Sequence, residues 1–147
     1  MQDFQNYILG AWEKGEGTET KLYNAINGDF LGGVSSAGID YEAVLKYGRN
    51  VGGPALRKMT FQERGRMLKA LAFYLLEKKA AYYNVSAWTG ATKIDSWIDI
   101  EGGIGNLFAN ASLRKQFPDL PYYVDGVAAP LSKGGSFIGH HIMVPKE

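Results

Sequence analysis

The spacing of apolar side chains changes along the chain, and each spacing predicts a different element. Residues 7–35 read as strands: Tyr7 to Trp12 is a short aromatic and aliphatic run. LYNAI (22–26), Asn27-Gly28 and DFLGGVS (29–35) then give a hairpin signal. Asn-Gly adopts positive φ readily, so a type I′ turn is expected there. Gly38 and Asp40 open a helix, with Asp40 as N-cap and Tyr41, Val44, Leu45 and Gly48 on one side. Gly52, Gly53 and Pro54 end or kink it.

Helical spacing then dominates. Thr60-Phe-Gln-Glu63 has the form of a capping box, and Phe61, Leu68, Leu71, Ala72 and Leu75 follow as an apolar stripe. A third helix around 78–89 ends at Gly90, a natural residue for the position after a helix. Thr92-Lys-Ile-Asp95 starts another helix, in which Ile94, Trp97, Ile98, Ile104 and Phe108 form an apolar face.

The glycines inside that last segment, DSWIDIEGGIG (95–105), are spaced like the start of a phosphate-binding loop. A dinucleotide fingerprint needs a third glycine where Phe108 stands, and a helix that begins after the loop. Here the helix begins before the glycines and runs to about Ser112. Gly102, Gly105, Ala109 and Ser112 are better read as a stripe of small residues, a packing seam that admits a close neighbour. From Phe117 the pattern breaks into FPDLPYY and VDGVAAPLSKGG, then ends in the β-rich run SFIGHHIMVPKE. The chain stops directly after a strand-like segment, so the expectation is that it is a piece of a longer protein.

Composition narrows the chemistry. The 147 residues are 46% hydrophobic and 13% aromatic, enough for one globular unit that buries roughly 70% of its unfolded surface. A formal charge of +1, with both signs interspersed, lacks the basic stripe of a nucleic-acid binder. No apolar run approaches the ~20 residues of a membrane span, and MQDFQNYILG lacks a basic leader, so a cytoplasmic protein is expected. The absence of cysteine removes disulfides, thiolate metal sites and a cysteine nucleophile. His140 and His141 are adjacent, would face opposite sides of a strand, and suggest no metal site.

The order of hairpin, helices and extended β-ribbon resembles the N-terminal part of the aldehyde dehydrogenase superfamily. AINGDFLGGVSSAGIDYEAVLKYGR resembles its opening hairpin and first helix, MTFQERGRMLKALAFYLLEKK its second helix, and AWTGATKIDSWIDIEGGIGNLFANAS the helix after its Thr-Gly corner. More narrowly, PALRKMTFQERGRMLKA, TGATKIDSWIDIEGGIGNLF and PLSKGGSF resemble the bifunctional ring-opening enzymes of phenylacetate degradation. Those join an aldehyde dehydrogenase to an enoyl-CoA hydratase-like domain. The expected fold class is therefore α+β as seen in this chain, the N-terminal helices and β-ribbon of an aldehyde dehydrogenase-like α/β fold.

The resemblance implies that residues 1–147 are one incomplete domain. The catalytic cysteine, its general-base glutamate, the oxyanion-hole asparagine and the cofactor loops would all lie beyond them. The parent would use NADP or NAD to oxidise a CoA-thioester aldehyde; this chain itself would hold no cofactor, catalytic or metal-binding residue. The helix matching 92–112 lines the substrate tunnel in that family, which puts Trp97, Ile100, Glu101 and Ile104 on or near its wall. Lys69, off the apolar stripe, is a candidate contact for CoA phosphates, although a solvated lysine explains it more simply. The family's matching ribbon packs against a neighbouring subunit, so residues 135–144 are expected to join the strands of 7–35 in a sheet that pairs between chains of a homo-oligomer. Phe137 and Met143 would lie on one face, with Ile138, Ile142 and Val144 on the other. The competing reading is a self-standing α+β binding or oligomerisation module without enzymatic activity.

Overall fold

The computed structural model describes residues 3–145. Met1, Gln2, Lys146 and Glu147, at the outer ends of MQDFQNYILG and SFIGHHIMVPKE, lie outside the described residues. Mixed helix and strand, 48% and 17%, agrees with the expected α+β class.

Two antiparallel hairpins come first. β1 (Asn6–Ile8) pairs with β2 (Ala11–Glu13), Ile8 opposite Ala11. The linking Leu9 and Gly10 have φ of 52° and 87°, positive at both central positions as a type I′ turn requires. Tyr7 to Trp12 is thus a hairpin, not the single run expected, and the facing Tyr7 and Trp12 rings are 5.0 Å apart. β3 (Thr20–Tyr23) and β4 (Phe30–Val34) form the hairpin the sequence predicts. Its turn is different. Gly28 has φ 77° but Asn27 is not in the positive region, so the type I′ expectation fails. The asparagine side chains close a wider loop instead: Asn24 accepts from Ile26 N–H at 2.9 Å and Asn27 from Asp29 N–H at 3.0 Å.

Asp40 caps α1 (Tyr41–Tyr47), accepting from Ala43 N–H at 2.9 Å. Gly52, Gly53 and Pro54 do not end the helical run. A π-helical turn at Gly48–Gly52 leads into α2 (Gly53–Lys58), and the run stops at extended Met59. Pro54 falls in the first turn of α2, directly after the π-helical turn.

The centre is a long helical hairpin. α3 (Phe61–Glu77) passes through Lys78 into α4 (Lys79–Trp88), and α5 (Lys93–Ser112) returns antiparallel before a 3₁₀ turn at Leu113–Gln116. Thr60 and Thr92 each start a helix through a complete capping box, with Glu63 and Asp95 reaching back. Gly90, at φ 83°, turns the chain between α4 and α5. Phe73 meets Phe108 edge to face at 5.0 Å, and Ser86 bonds Ser96 at 2.8 Å. Gly65 lets the stem of Arg114 lie directly across α3. The start of α3 is also tied to the segment just past α5: Gln62 donates to the carbonyls of Arg114 and Phe117, at 2.6 and 2.9 Å, and Phe61 stacks on Phe117 at 4.5 Å.

This hairpin holds the core, and part of the expected face of α5 points into it: Ile104 is buried and Phe108 packs on Phe73. Ser96, Ile104 and Ala111 are buried, with Ala72 and Gly65 on α3. Ile94, Trp97 and Ile98 are exposed, as is Leu71. Ser96 and Glu101 of α5 meet partners on α4, whereas the exposed Ile94, Trp97 and Ile98 lie in the first two turns of the helix. Gly102, Gly105, Ala109 and Ser112 turn outward, and nothing stands within 4 Å of a Cβ built at either glycine. The seam expected of them is not formed within the chain.

The tail is a sparse ribbon. β5 (Tyr123–Val124) pairs with β8 (Ile142–Met143), and β6 (Ala129–Pro130) with β7 (Ile138–Gly139). Residues 135–144 are thus two short strands rather than one, and they pair within the tail, not with strands of 7–35. Prolines and glycines keep each strand short. The two-face assignment fails with the continuous strand. His140 and His141 link β7 to β8 instead of lying within a strand; His140 Nδ1 is 3.0 Å from the Asp125 carbonyl, and Asp125 N–H donates to that of His141.

Candidate functional site

The helix that begins at Thr92 brings three of the four candidate tunnel residues to the seam between helices. Ile104, at 5% exposure, is part of the helical core. Ile100, one turn earlier, is half-buried on the same side. Glu101 points at α4, where its Oε1 accepts from the Tyr83 hydroxyl at 2.9 Å and from Lys79 Nζ at 3.2 Å. Trp97 is different. It is 57% exposed, like Ile94 and Ile98 in the same first turns of α5. Lys69 stands on another helix, exposed, with its ammonium 5.7 Å from the centre of the Phe73 ring.

Electrostatics assigns Glu101 an anchoring role in this chain. The hydrogen bond from Tyr83, and then that from Lys79, hold its carboxyl below the ordinary carboxylate range. Burial and the hydrogen bond to Glu101 push the Tyr83 phenol up, so it stays protonated and donating. A carboxylate with a depressed pKa and one oxygen already accepting two hydrogen bonds is a weak general base. It is a good clamp between α4 and α5.

Tyr83 and Lys79 were not singled out in the sequence. The signal was available: at i and i+4 they share one helix face, and the Gly90 turn folds that face back onto Glu101. A second feature also escaped notice. A cavity of about 290 Å³ opens at the other end of the hairpin, walled by Phe61, Leu68 and Phe117 and flanked by Arg64 and Arg114. Arg64 lies over the Phe61 ring at 4.6 Å, and Arg114 donates to the Ala111 carbonyl at 2.7 Å. Both guanidinium groups are thus partly engaged by neighbours close in sequence.

The glycine run does not fit a dinucleotide. Gly102, Gly103 and Gly105 lie mid-helix in α5, so their N–H groups bond along the helix instead of pointing at a phosphate from its N-terminus. No step involving a nucleotide can be derived from these residues. Among the described residues no group of three or more His, Asp or Glu side chains gathers as a metal site, and no helix is long and apolar enough to cross a membrane.

No family model matches the chain. It is 34% identical over 141 residues, 95% of its length, to the 3,4-dehydroadipyl-CoA semialdehyde dehydrogenase of Aromatoleum evansii. The match lies in the N-terminal part of that protein, and the chain spans about a quarter of the relative's length, 27%. The resemblance carried by the helix and hairpin phrases is borne out by this relative.

Proposed function

We propose that the chain is the N-terminal part of an aldehyde dehydrogenase-like α/β enzyme that uses NADP or NAD to oxidise a CoA-linked semialdehyde in aromatic ring-opening catabolism in the cytoplasm. One observation carries this reading: the identity to a CoA-semialdehyde dehydrogenase runs through 95% of the chain, from the hairpins to the ribbon, rather than through one helix. In the reaction, the aldehyde carbon gives up hydride to the oxidised nicotinamide and gains oxygen from water, leaving a carboxylate, reduced nucleotide and protons. The thiolate that captures the aldehyde comes from polypeptide beyond these residues, because this chain has no cysteine. A hydratase-like domain for ring hydrolysis belongs to the same proposal.

Within that enzyme the chain supplies scaffold, tunnel wall and subunit contacts. Trp97 is our choice for the wall, supported by its exposure and by the breadth of rigid apolar surface an indole offers. Ile100 and Ile104 set the angle of α5 from behind, Glu101 clamps it to α4, and exposed Lys69 is available to a CoA phosphate. The tail ribbon is the proposed contact between subunits of a homo-oligomer, supported by its exposed Phe137, Ile138, Ile142 and Val144.

The test uses protein made from its intact gene. It should reduce NADP or NAD when given a CoA-linked semialdehyde, whereas the 147-residue chain should neither do so nor bind either nucleotide in titration calorimetry. Micromolar nucleotide binding by the chain alone, or an intact protein inert toward CoA semialdehydes, would overturn the proposal.

A further inference from the structure

Asn27 is the one asparagine of the chain with a glycine after it. Both residues are exposed in the β3–β4 loop, and a Cβ built at Gly28 would meet nothing within 4 Å. With no side chain on Gly28, its backbone nitrogen is open to approach from the Asn27 side chain, and the loop can rotate to allow it. Elsewhere the same approach is hindered. Asn84, Asn106 and Asn110 lie in helices, where the next N–H is held in the ladder. Asn24 precedes Ala25, whose N–H donates to the Trp88 carbonyl at 2.8 Å. Asn6 and Asn50 precede the bulky Tyr7 and Val51.

We infer that Asn27 is a site of spontaneous covalent modification, whose side chain closes on the Gly28 nitrogen, sheds ammonia and reopens as aspartate or isoaspartate. The Gly28 nitrogen bonds to Asn27 Cγ, the Cγ–Nδ2 bond breaks, and Nδ2 leaves as ammonia with the proton that Gly28 loses. Water then opens the cyclic imide. Cleavage at Cγ gives aspartate; cleavage at the Asn27 backbone carbonyl gives isoaspartate, with the chain running through Cγ. Water is the only co-reactant, and no part of the proposed enzyme is needed.

The folded loop restrains this step. Gly28 N–H donates to the Asn24 carbonyl at 2.8 Å. Asp29 holds the Asn27 amide at both ends: Oδ1 accepts from its N–H at 3.0 Å, and Nδ2 donates to its Oδ2 at 2.8 Å. Each restraint is one hydrogen bond in an exposed loop, where water competes for it, so closure is slowed and not prevented. The products fit the loop poorly. Aspartate lacks the Nδ2 donor and sets a second carboxylate against that of Asp29. Isoaspartate adds a methylene to a backbone closed by Asn24 N–H on the Asp29 carbonyl at 2.8 Å. Ala25 ties this loop to α4 through Trp88, so modification should loosen the β3–β4 hairpin from the helices.

Peptide mapping by mass spectrometry tests this on protein from the intact gene, held at mildly alkaline pH and physiological temperature. Residue 27 should gain aspartate and isoaspartate over days, several-fold faster than any other asparagine, with ammonia released in step. Asp125-Gly126 can form the same imide but sheds water, so ammonia and mapping keep the two sites apart. Asp29→Ala should speed conversion several-fold in folded protein and leave the rate in urea unchanged. The Ala25 amide should exchange hydrogen faster once residue 27 is converted. An Asn27 that stays intact, or converts no faster than the other asparagines, would overturn the inference. Equal rates in the two folded proteins would overturn the restraint by Asp29, and undisturbed exchange at Ala25 would overturn the loosening of the hairpin.

Discussion

The helical hairpin and the terminal ribbon are both rich in apolar residues, yet only the hairpin builds a core. α3, α4 and α5 bury Ala72, Ser96, Ile104 and Ala111 between them. From Tyr122 to Val144, by contrast, no residue is buried, and Val127 is 76% exposed. The cause is how each satisfies its backbone. A helix closes its own hydrogen bonds, so α3 and α5 are whole before they meet, and each start is set by a capping threonine. Two-residue strands have almost no ladder of their own and need a larger sheet to stand on. Hydrophobic content alone does not make a core. The side chains need an element rigid enough to aim them at one another.

The sharpest way to break the contrast is to strike the hairpin core on one side of one helix. Ile104→Ala should cost about 2–4 kcal/mol through lost burial and a residual cavity, read as a lower midpoint in thermal melts followed by far-UV circular dichroism. Ile98→Ala, on the outer side of the same helix, should stay within about 0.5 kcal/mol in the isolated chain. Equal losses from the two would mean that α5 packs by the whole face its sequence pattern suggests, not by the part described.

Close packing at the far end of the hairpin ranks next. A Cβ at Gly65 would stand 2.6 Å from Arg114 Cδ and 3.0 Å from the Ala111 carbonyl oxygen. Arg114 can shift, but the carbonyl belongs to the last turn of α5. Gly65→Val should therefore cost about 1–3 kcal/mol by overpacking, despite the entropy a glycine loses in a helix. A melt equal to that of the unsubstituted chain would show that the seam is loose there.

These cases also show what could be read in the sequence. Helix starts were legible because capping is local: Asp40, Thr60 and Thr92 need only residues three positions away. Gly90 was legible for the same reason. The inward face of α5 was legible only in part: Ile104 and Phe108 face the core as the pattern has it, but Ile94, Trp97 and Ile98 look as core-like until α3 and α4 are placed beside them. The I′ turn was assigned to Asn27-Gly28 by residue preference, and appears at Leu9-Gly10, where the pairing of Ile8 with Ala11 leaves a two-residue loop with both φ positive. Among the candidate site residues, the pattern put Glu101 on the helix, but its partners Tyr83 and Lys79 emerge only when the hairpin closes.

The Glu101 clamp sharpens the contrast by a smaller amount, through pH. Its carboxyl titrates below the ordinary value of 4.5 when folded, chiefly because Tyr83 donates to it. The folded form thus holds the proton less tightly than the unfolded form. The stability it adds is present above the unfolded value and is lost as pH falls through the folded one. Melting temperature should drop on acidification below about pH 4.5. In Tyr83→Phe that drop should be shallower, because the largest cause of the shift is gone. An unchanged acid limb in the variant would show that Glu101 is not what the hairpin loses at low pH.

The smallest expected effect belongs to the ribbon, and it is the one that tests whether the two regions are independent. Val127 and Ile138 are exposed, and no strand of the tail pairs with an element of the hairpin. The tail touches the helices through Phe117, Asp119 and Leu120, all before its first strand. Substituting Val127→Ser and Ile138→Ser together should therefore shift the hairpin melt by less than about 0.5 kcal/mol. The same pair should weaken self-association measured by sedimentation, since it removes apolar surface from the proposed subunit contact. A melt lowered by more than about 1 kcal/mol would mean that the ribbon supports the helices and that the two regions form one cooperative unit. Unaltered association would move the subunit contact elsewhere on the surface.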